Sequence, residues 1–291
     1  MAVAEPVTPA AAVRVRGLAR TRRPLVLSRV WAWAAASLLL VVTLVAVLAP
    51  VISPQDPLMP VGMPGLAPGQ GGFLLGSDGI GRDILSRILA GLRLSWFAAL
   101  VVIASGLVVG GTVGVIAGAA GGWVDNVLMR ITDLFLALPA PLLAIAVVAA
   151  LGPGLENTLL AVAVVWWPFY ARIVRGEIRT LAARPHVEAA RLAGVGRWRL
   201  AVRHLVPGAV PAAVVTASLD VGNLVLTLAS LSFLGLGQPA PAAELGADTA
   251  RNLQFLLQQW WIPVLPGLGV LLLSLAGNVA GDGVRSLLGD R

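Results

Sequence analysis

The sequence predicts an all-α, polytopic membrane protein with six transmembrane helices, and three observations carry that expectation. Of its 291 residues, 58% are hydrophobic and 12% charged; a water-soluble surface needs about 25% charge. The charge falls in blocks between long apolar runs. All 21 basic residues are arginine, and their placement explains the net charge of +7 as topology rather than nucleic-acid binding. The absence of cysteine removes disulfides, thiolate chemistry and Cys-ligated metals.

A helix crosses roughly 30 Å of hydrocarbon with about 20 apolar residues. Runs that meet this lie at 30–52, 94–124, 134–155, 157–175, 211–236 and 260–281. The fourth ends in Arg172 and Arg175, and the fifth contains Asp220. Six crossings put both ends of the chain on one side. Seventeen arginines fall on that side, eight of them between Arg172 and Arg203, and only Arg82, Arg87, Arg93 and Arg251 on the other. The positive-inside rule makes the arginine-rich side cytoplasmic. Six tryptophans, among them Trp31, Trp96, Trp123 and Trp260, stand near ends of the runs as an interfacial belt requires; Trp166 and Trp167 do not. A basic stretch before an apolar run also describes a secretory signal, whose apolar core has about 7–15 residues. The longer run here, with Pro50 after Ala49, favours a retained first helix.

The chain thus divides into a basic cytoplasmic tail at 1–29, a first span at 30–52, and an external loop with a short interfacial helix at 53–93. A core of five spans follows at 94–285, with a long cytoplasmic loop at 177–211, and then a cytoplasmic tail at 286–291.

In the second run Gly106, Gly110, Gly114, Gly118 and Gly122 recur every fourth residue and form a stripe on one helix face. Such a stripe lets another helix approach closely. A packing face and a sliding surface used in gating are both open readings. Asp220 and Asn223 lie within the fifth run, where an Asp at mid-membrane costs about 2.5–3.5 kcal/mol. They are candidates for a translocation path, the alternative being a shallow Asp that reaches cytoplasmic water. Asp133, near Arg130, reads as an interfacial residue.

The loop at 177–211 is too long to be a simple turn. Ala182, Ala183, Ala189, Ala190, Leu192 and Ala193 are strong helix formers, and Glu188 with Arg191 makes an i,i+3 pair. Gly194 and Gly196 break that helix, and a second forms from Trp198 to Val206, before Pro207. An Ala-rich helix of this kind suits a groove on a partner protein. It could equally lie on anionic lipid.

The run Glu188, Ala189, Ala190, Gly194, then His204, Leu205, Val206 and Pro207 resembles the EAA motif of permease subunits of ATP-binding-cassette importers. His204 and Val206 stand where that motif has Ile and Leu, and Arg203-His204 resembles the version found in peptide-type permeases. The segment from Gly76 to Arg93 resembles the one before the second helix in C-type dipeptide, oligopeptide and nickel permeases. Further similar blocks are Leu151 to Asn157, Trp167 to Glu177, Leu231 to Gly237, Pro266-Gly267, Asn278 and Gly281 to Arg285. The blocks run in family order from about residue 73 onward; the first 29 residues match nothing. Three positions depart from the pattern: Leu228 stands near a usual Glu, Gly208 where Asn is usual, and 243–246 where a Trp-Gly arrangement is common.

The resemblance implies a type I importer permease whose EAA loop carries a coupling helix, with Glu188, Ala189, Ala190, Gly194 and Pro207 as the coupling element. It implies as partners a second homologous permease, two cytoplasmic ATPases, an extracytoplasmic substrate-binding protein and membrane lipid, and no nucleic acid. ATP would be used by the partner subunits, with no cofactor or metal held and no catalytic residue here. The location implied is a bacterial cytoplasmic membrane, multi-pass, with both termini cytoplasmic. The substrate would be a di- or oligopeptide or a related solute such as nickel. The glycine-rich Gly76 to Gly81 lacks the Gly-Lys-Ser/Thr ending of a nucleotide-binding loop. Ser77 or Asp78 reads instead as the N-cap of a short helix, with Asp83 and Arg87 in support. The competing reading is an ion-gradient-driven transporter with Asp220 as its coupling acid.

Overall fold

The computed structural model describes residues 25–288, whose regular elements are helices joined by loops. In chain order these are α1 (Leu25–Ile52), α2 (Ile84–Ala120), α3 (Gly122–Leu136), α4 (Ala140–Leu151), α5 (Leu155–Ala182), α6 (Pro185–Leu192), α7 (Arg197–Leu200), α8 (Val206–Phe233), α9 (Leu245–Arg251) and α10 (Trp261–Leu288). Helices α1, α2, α5, α8 and α10 are each long and apolar enough to cross a membrane, and α3 with α4, bent by 84° at their break, count as a sixth span when taken together as one broken helix. The basic tail with its arginines through Arg23, and Arg291, lie outside the described residues.

The third crossing is a correction to the straight span expected at 134–155. Pro139 lacks an amide hydrogen and forces Leu138 out of helical conformation, so α3 ends before it and α4 restarts beyond. Twelve residues of α4 rise only about 18 Å, too little to cross alone. The preceding α3 carries Asp125, Arg130 and Asp133 and lies against α5. Asp125 is 1% exposed and takes both Arg175 and Arg179 of α5, while Asp133 pairs with Arg172 rather than Arg130. These pairs mark what is here called the arginine-rich end.

No separate interfacial helix forms at 53–83. Helix α2 starts at Ile84 and runs unbroken into the span because Asp83 is its N-cap, accepting from the Ser86 amide at 2.9 Å. Asp78 is occupied instead by the Ile80 and Arg82 amides and by Arg82 Nε at 2.7 Å. At its other end α2 stops at Gly121 and Gly122, which have φ of +64° and +57°, a pair of left-handed residues that only glycine adopts readily. Gly122 therefore leaves the stripe.

The other four stripe glycines pack against α5. A β-carbon at Gly106 would meet Tyr170; one at Gly110, the Trp167 carbonyl; one at Gly114, the Ala171 carbonyl; one at Gly118, Ile178. This is the packing face of the two readings. A second seam of small residues joins α8 to α10, where Gly222, Gly277 and Gly281 meet facing backbone and Ser274 Oγ donates to the Gly222 carbonyl at 2.9 Å.

The end opposite the arginine-rich end is closed by residues 53–83 and 234–260, the cap. Arg87, 3% exposed, ties it together. Its Nε and Nη2 donate to the two Asp248 oxygens at 3.0 and 2.6 Å, and its remaining donors reach the Pro57 carbonyl at 2.8 Å and the Ala242 carbonyl at 3.0 Å. Burial pushes the Asp248 carboxyl up from the usual carboxylate range, and the Arg87 hydrogen bonds and charge pull against it. One arginine thus joins the α1–α2 loop, the α8–α9 loop and α9 to the head of α2.

Candidate functional site

At the arginine-rich end α5 continues to Ala182, and the segment that separates it from the next long helical run is 183–196 rather than the whole of 177–211. The extension is stabilised by Ile178 and Leu181, both buried. Arg184 then leaves the helix in extended conformation, and Pro185 at the first position of α6 turns its missing amide to use, since that amide would have no partner there.

Helix α6 is held by Val187, which is fully buried among Val174, Ile178, Leu181, Leu200, Leu205 and Ala209. It ends in a Schellman cap: the Val195 amide donates to the Ala190 carbonyl at 3.1 Å and the Gly194 amide to the Arg191 carbonyl at 3.0 Å. Gly194 has φ of +81°, which the cap requires, and Ala190 and Val195 turn inward onto the same cluster. Glu188, Ala189, Arg191 and Leu192 are left facing outward. Glu188 and Arg191 form no ion pair among the described residues; both stand in solvent.

Helix α7 does not stop at Pro207. It passes through a π-turn, Ala201–Leu205, straight into α8, so 197–233 is one helical run. The wider turn accommodates the carbonyl that Pro207 cannot satisfy. Pro207 is exposed on the outer side of that junction. Both short helices are therefore rooted in long spans, α6 through Val187 against α5 and α7 by continuity with α8.

Two residues of this unit were legible in the sequence only as helix formers. Leu192 is 86% exposed and Trp198 81% exposed, on a segment outside the spans. With the exposed Ala189 they leave apolar side chains uncovered on both α6 and α7, among the exposed Arg191, Arg197 and Arg199. Exposed large apolar side chains of this kind, outside the spans, are uncommon on a surface that meets only water.

Within the bundle the two polar residues of α8 differ in exposure while their side chains stay within reach of each other. Asp220 is 8% exposed and faces α5, where its Oδ2 accepts from Trp166 Nε1 and from the Tyr170 hydroxyl, the latter at 3.1 Å. Trp166, outside any interfacial belt, is explained by that bond, and Trp167 by its edge-to-face contact with Phe135 at 5.5 Å between centroids. Asn223, three residues on, faces outward, and Thr227 and Ser230 continue the same side of α8, their hydroxyls bonded to the Asn223 and Leu226 carbonyls. A polar row on a span is costly against lipid and marks a side that meets water or another protein.

Residues 110–291 match the family described as binding-protein-dependent transport system inner membrane component. The chain is similar to the probable D,D-dipeptide transport system permease protein DdpC of Escherichia coli, with 41% identity over 223 residues, 77% of this chain and 75% of that protein. It is also similar to the di/tripeptide transport system permease protein DppC of Pseudomonas aeruginosa, with 40% identity over 258 residues, 86% of this chain and 84% of that protein. Among solved structures, an inward-facing form of the MetNI methionine ABC transporter aligns with a TM-score of 0.54 at 21% identity, over 68% of this chain and 96% of its own. That likeness shows a shared fold.

Proposed function

Because the chain belongs to the binding-protein-dependent transport system inner membrane component family, we propose that it is a non-catalytic permease subunit of an ATP-driven importer of short peptides or a closely related solute. The relatives named for D,D-dipeptides and di/tripeptides support that substrate class over nickel. The arginine-rich end is cytoplasmic, since Arg130, Arg172, Arg175, Arg179 and the arginines of 184–203 gather there, and both termini lie on that side of a bacterial cytoplasmic membrane.

One observation carries the mechanism: the α6–α7 unit presents Glu188, Ala189, Leu192 and Trp198 outward while Val187 locks it to the feet of α5 and α8. A cytoplasmic ATPase grips this unit, and a second ATPase grips its counterpart on a second, homologous permease. ATP binding draws the two motors together, and the roots of α6 and α7 pass the movement into the spans. Substrate is delivered at the cap by an external binding protein. Its path runs along the row Asn223, Thr227 and Ser230, facing the second permease, with Asp220 anchoring α8 to α5 behind it.

The test is Gly194→Val. A β-branched residue at φ +81° costs about 1–2 kcal/mol and undoes the cap that orients α6. In a strain lacking the native gene, the variant inserts into the membrane at normal levels, loses dipeptide uptake and retains less ATPase on purification. Normal uptake with normal ATPase recovery would overturn the assignment of this unit.

A further inference from the structure

Of the four cap-end arginines, Arg82, Arg87 and Arg251 are tied to Asp78 or Asp248. Arg93 makes no ion pair or side-chain hydrogen bond among the described residues and is exposed. It stands where two spaces adjoin. Below it runs a groove of about 340 Å³ between α2 and the head of α5, lined by Leu94, Phe97, Val101, Leu155 and Leu159. Above it opens a hollow of about 560 Å³ at the end of α1, lined by Pro50, Ser53, Gln55 and Asp56.

Its depth follows from its neighbours. Leu155 is the first residue of α5 and Pro50 lies in the last turn of α1, so Arg93 is level with the places where two spans leave the bilayer. From Arg93 to Val101 α2 rises about 12 Å, most of one leaflet's share of a roughly 30 Å hydrocarbon layer. Asp56 lines the hollow with Arg93 yet forms no ion pair with it; its Oδ1 accepts from the Leu58 amide at 2.8 Å. The hollow thus offers a positive group and a negative group separated by open space, directly over a greasy groove that faces out of the chain.

We propose that this is a binding site for one zwitterionic aminophospholipid of the phosphatidylethanolamine type. The Arg93 guanidinium takes the phosphate in its two-pronged donor geometry, Asp56 takes the ammonium, and one acyl chain lies along Phe97, Val101 and Leu159. A phosphatidylglycerol headgroup offers Arg93 the same phosphate but ends in an uncharged glycerol, so the Asp56 carboxylate beside that phosphate is left without a compensating cation. A headgroup whose ammonium is capped by methyl groups loses its hydrogen bonds to that carboxylate. The site therefore discriminates by headgroup as well as by chain.

The test uses the assembled transporter in discs of equal phosphatidylethanolamine and phosphatidylglycerol, followed by detergent extraction and mass spectrometry of retained lipid. The wild-type complex retains phosphatidylethanolamine about tenfold over phosphatidylglycerol. Arg93→Gln loses both lipids to the level of bulk exchange. Asp56→Asn retains lipid but without preference. Val101→Trp, at a residue 56% exposed where the larger side chain is accommodated, fills the groove and lowers retention with both charges in place. Equal retention by wild type and Arg93→Gln, or wild-type preference for phosphatidylglycerol, overturns the proposal. So does a wild-type complex without bound lipid whose Arg93→Gln variant sheds the second permease, since the groove is then a subunit contact. None of these readouts depends on transport, so they stand apart from the test of Gly194.

Discussion

Adjacent glycines in α2 give opposite responses to the same substitution. A β-carbon on Gly110 would lie 2.2 Å from the Trp167 carbonyl oxygen and 2.9 Å from the Ala171 nitrogen. Ordinary contact begins at 3.4 Å, so Gly110→Ala must push the backbones of α2 and α5 apart by about 1 Å at that point. Overpacking of this kind costs about 1–3 kcal/mol. A β-carbon on Gly111 meets nothing within 4 Å. Gly111→Ala therefore keeps only the gain from removing a helical glycine, at most about 1 kcal/mol, and Gly110→Ala shares that gain. The difference between the two variants isolates the clash. Heating the purified subunit in detergent and following the monodisperse fraction by gel filtration gives a midpoint for each; at roughly 2–4 °C per kcal/mol, Gly110→Ala melts several degrees below Gly111→Ala. Detergent unfolding is irreversible, so both are heated on one schedule. Equal midpoints, or a higher one for Gly110→Ala, would refute a glycine-mediated contact between α2 and α5.

Further perturbations separate the roles assigned elsewhere. Asp220→Asn keeps an acceptor for Trp166 and Tyr170, so dipeptide uptake in cells persists near the wild-type rate; collapse of uptake would point to a proton-coupling acid. Arg87→Gln strands a buried Asp248 whose nearest remaining cation, Arg251, is 3.6 Å away, at a cost of about 3–5 kcal/mol. Protease added from the cap side then cuts residues 238–245 faster than in wild type, and an unchanged cleavage rate would count against the network. Asp125→Ala releases Arg175 and Arg179 and loosens α3 from α5. The chain has no cysteine, so cysteines placed at Asp133 and Arg172 and joined by a bifunctional thiol crosslinker long enough to replace the ion pair read that contact directly, and they link more slowly in the Asp125→Ala background.

The spans and their polarity were legible because both rest on features that composition carries directly: apolar length and the placement of arginine. The turn after α6 was legible for a similar reason, Gly194 being a local signal for a local conformation. The break in the third span had its signal in Pro139 and Pro141, but two prolines inside an apolar run read as easily as a kink. What sequence could not offer were contacts between distant positions. Arg87 and Asp248 are 161 residues apart, and Trp166 and Asp220 are 54 apart. Asp220 therefore read as a lone acid in lipid when it is a bonded one. Val187 was hidden differently: among alanines and arginines it looks like any helix residue, and only the cluster it enters shows that it fastens α6. Exposed Leu192 and Trp198 became meaningful once their surroundings were known to lack a partner.

The fit between α2 and α5 also limits how they can move. Gly106 and Gly110 are notches on either side of Tyr170, and Gly114 and Gly118 hold Val174 and Ile178, so the glycines recur every fourth residue and the side-chain teeth they receive do likewise along two helices running the same way. A small axial slip would drive each tooth against the rim of its notch. Only a step of one full repeat, about 6 Å, would seat them again. For any lesser displacement the two helices travel as a single beam, and a push that Val187 of α6 delivers to the foot of α5 reaches the cap without being lost to slippage on the way.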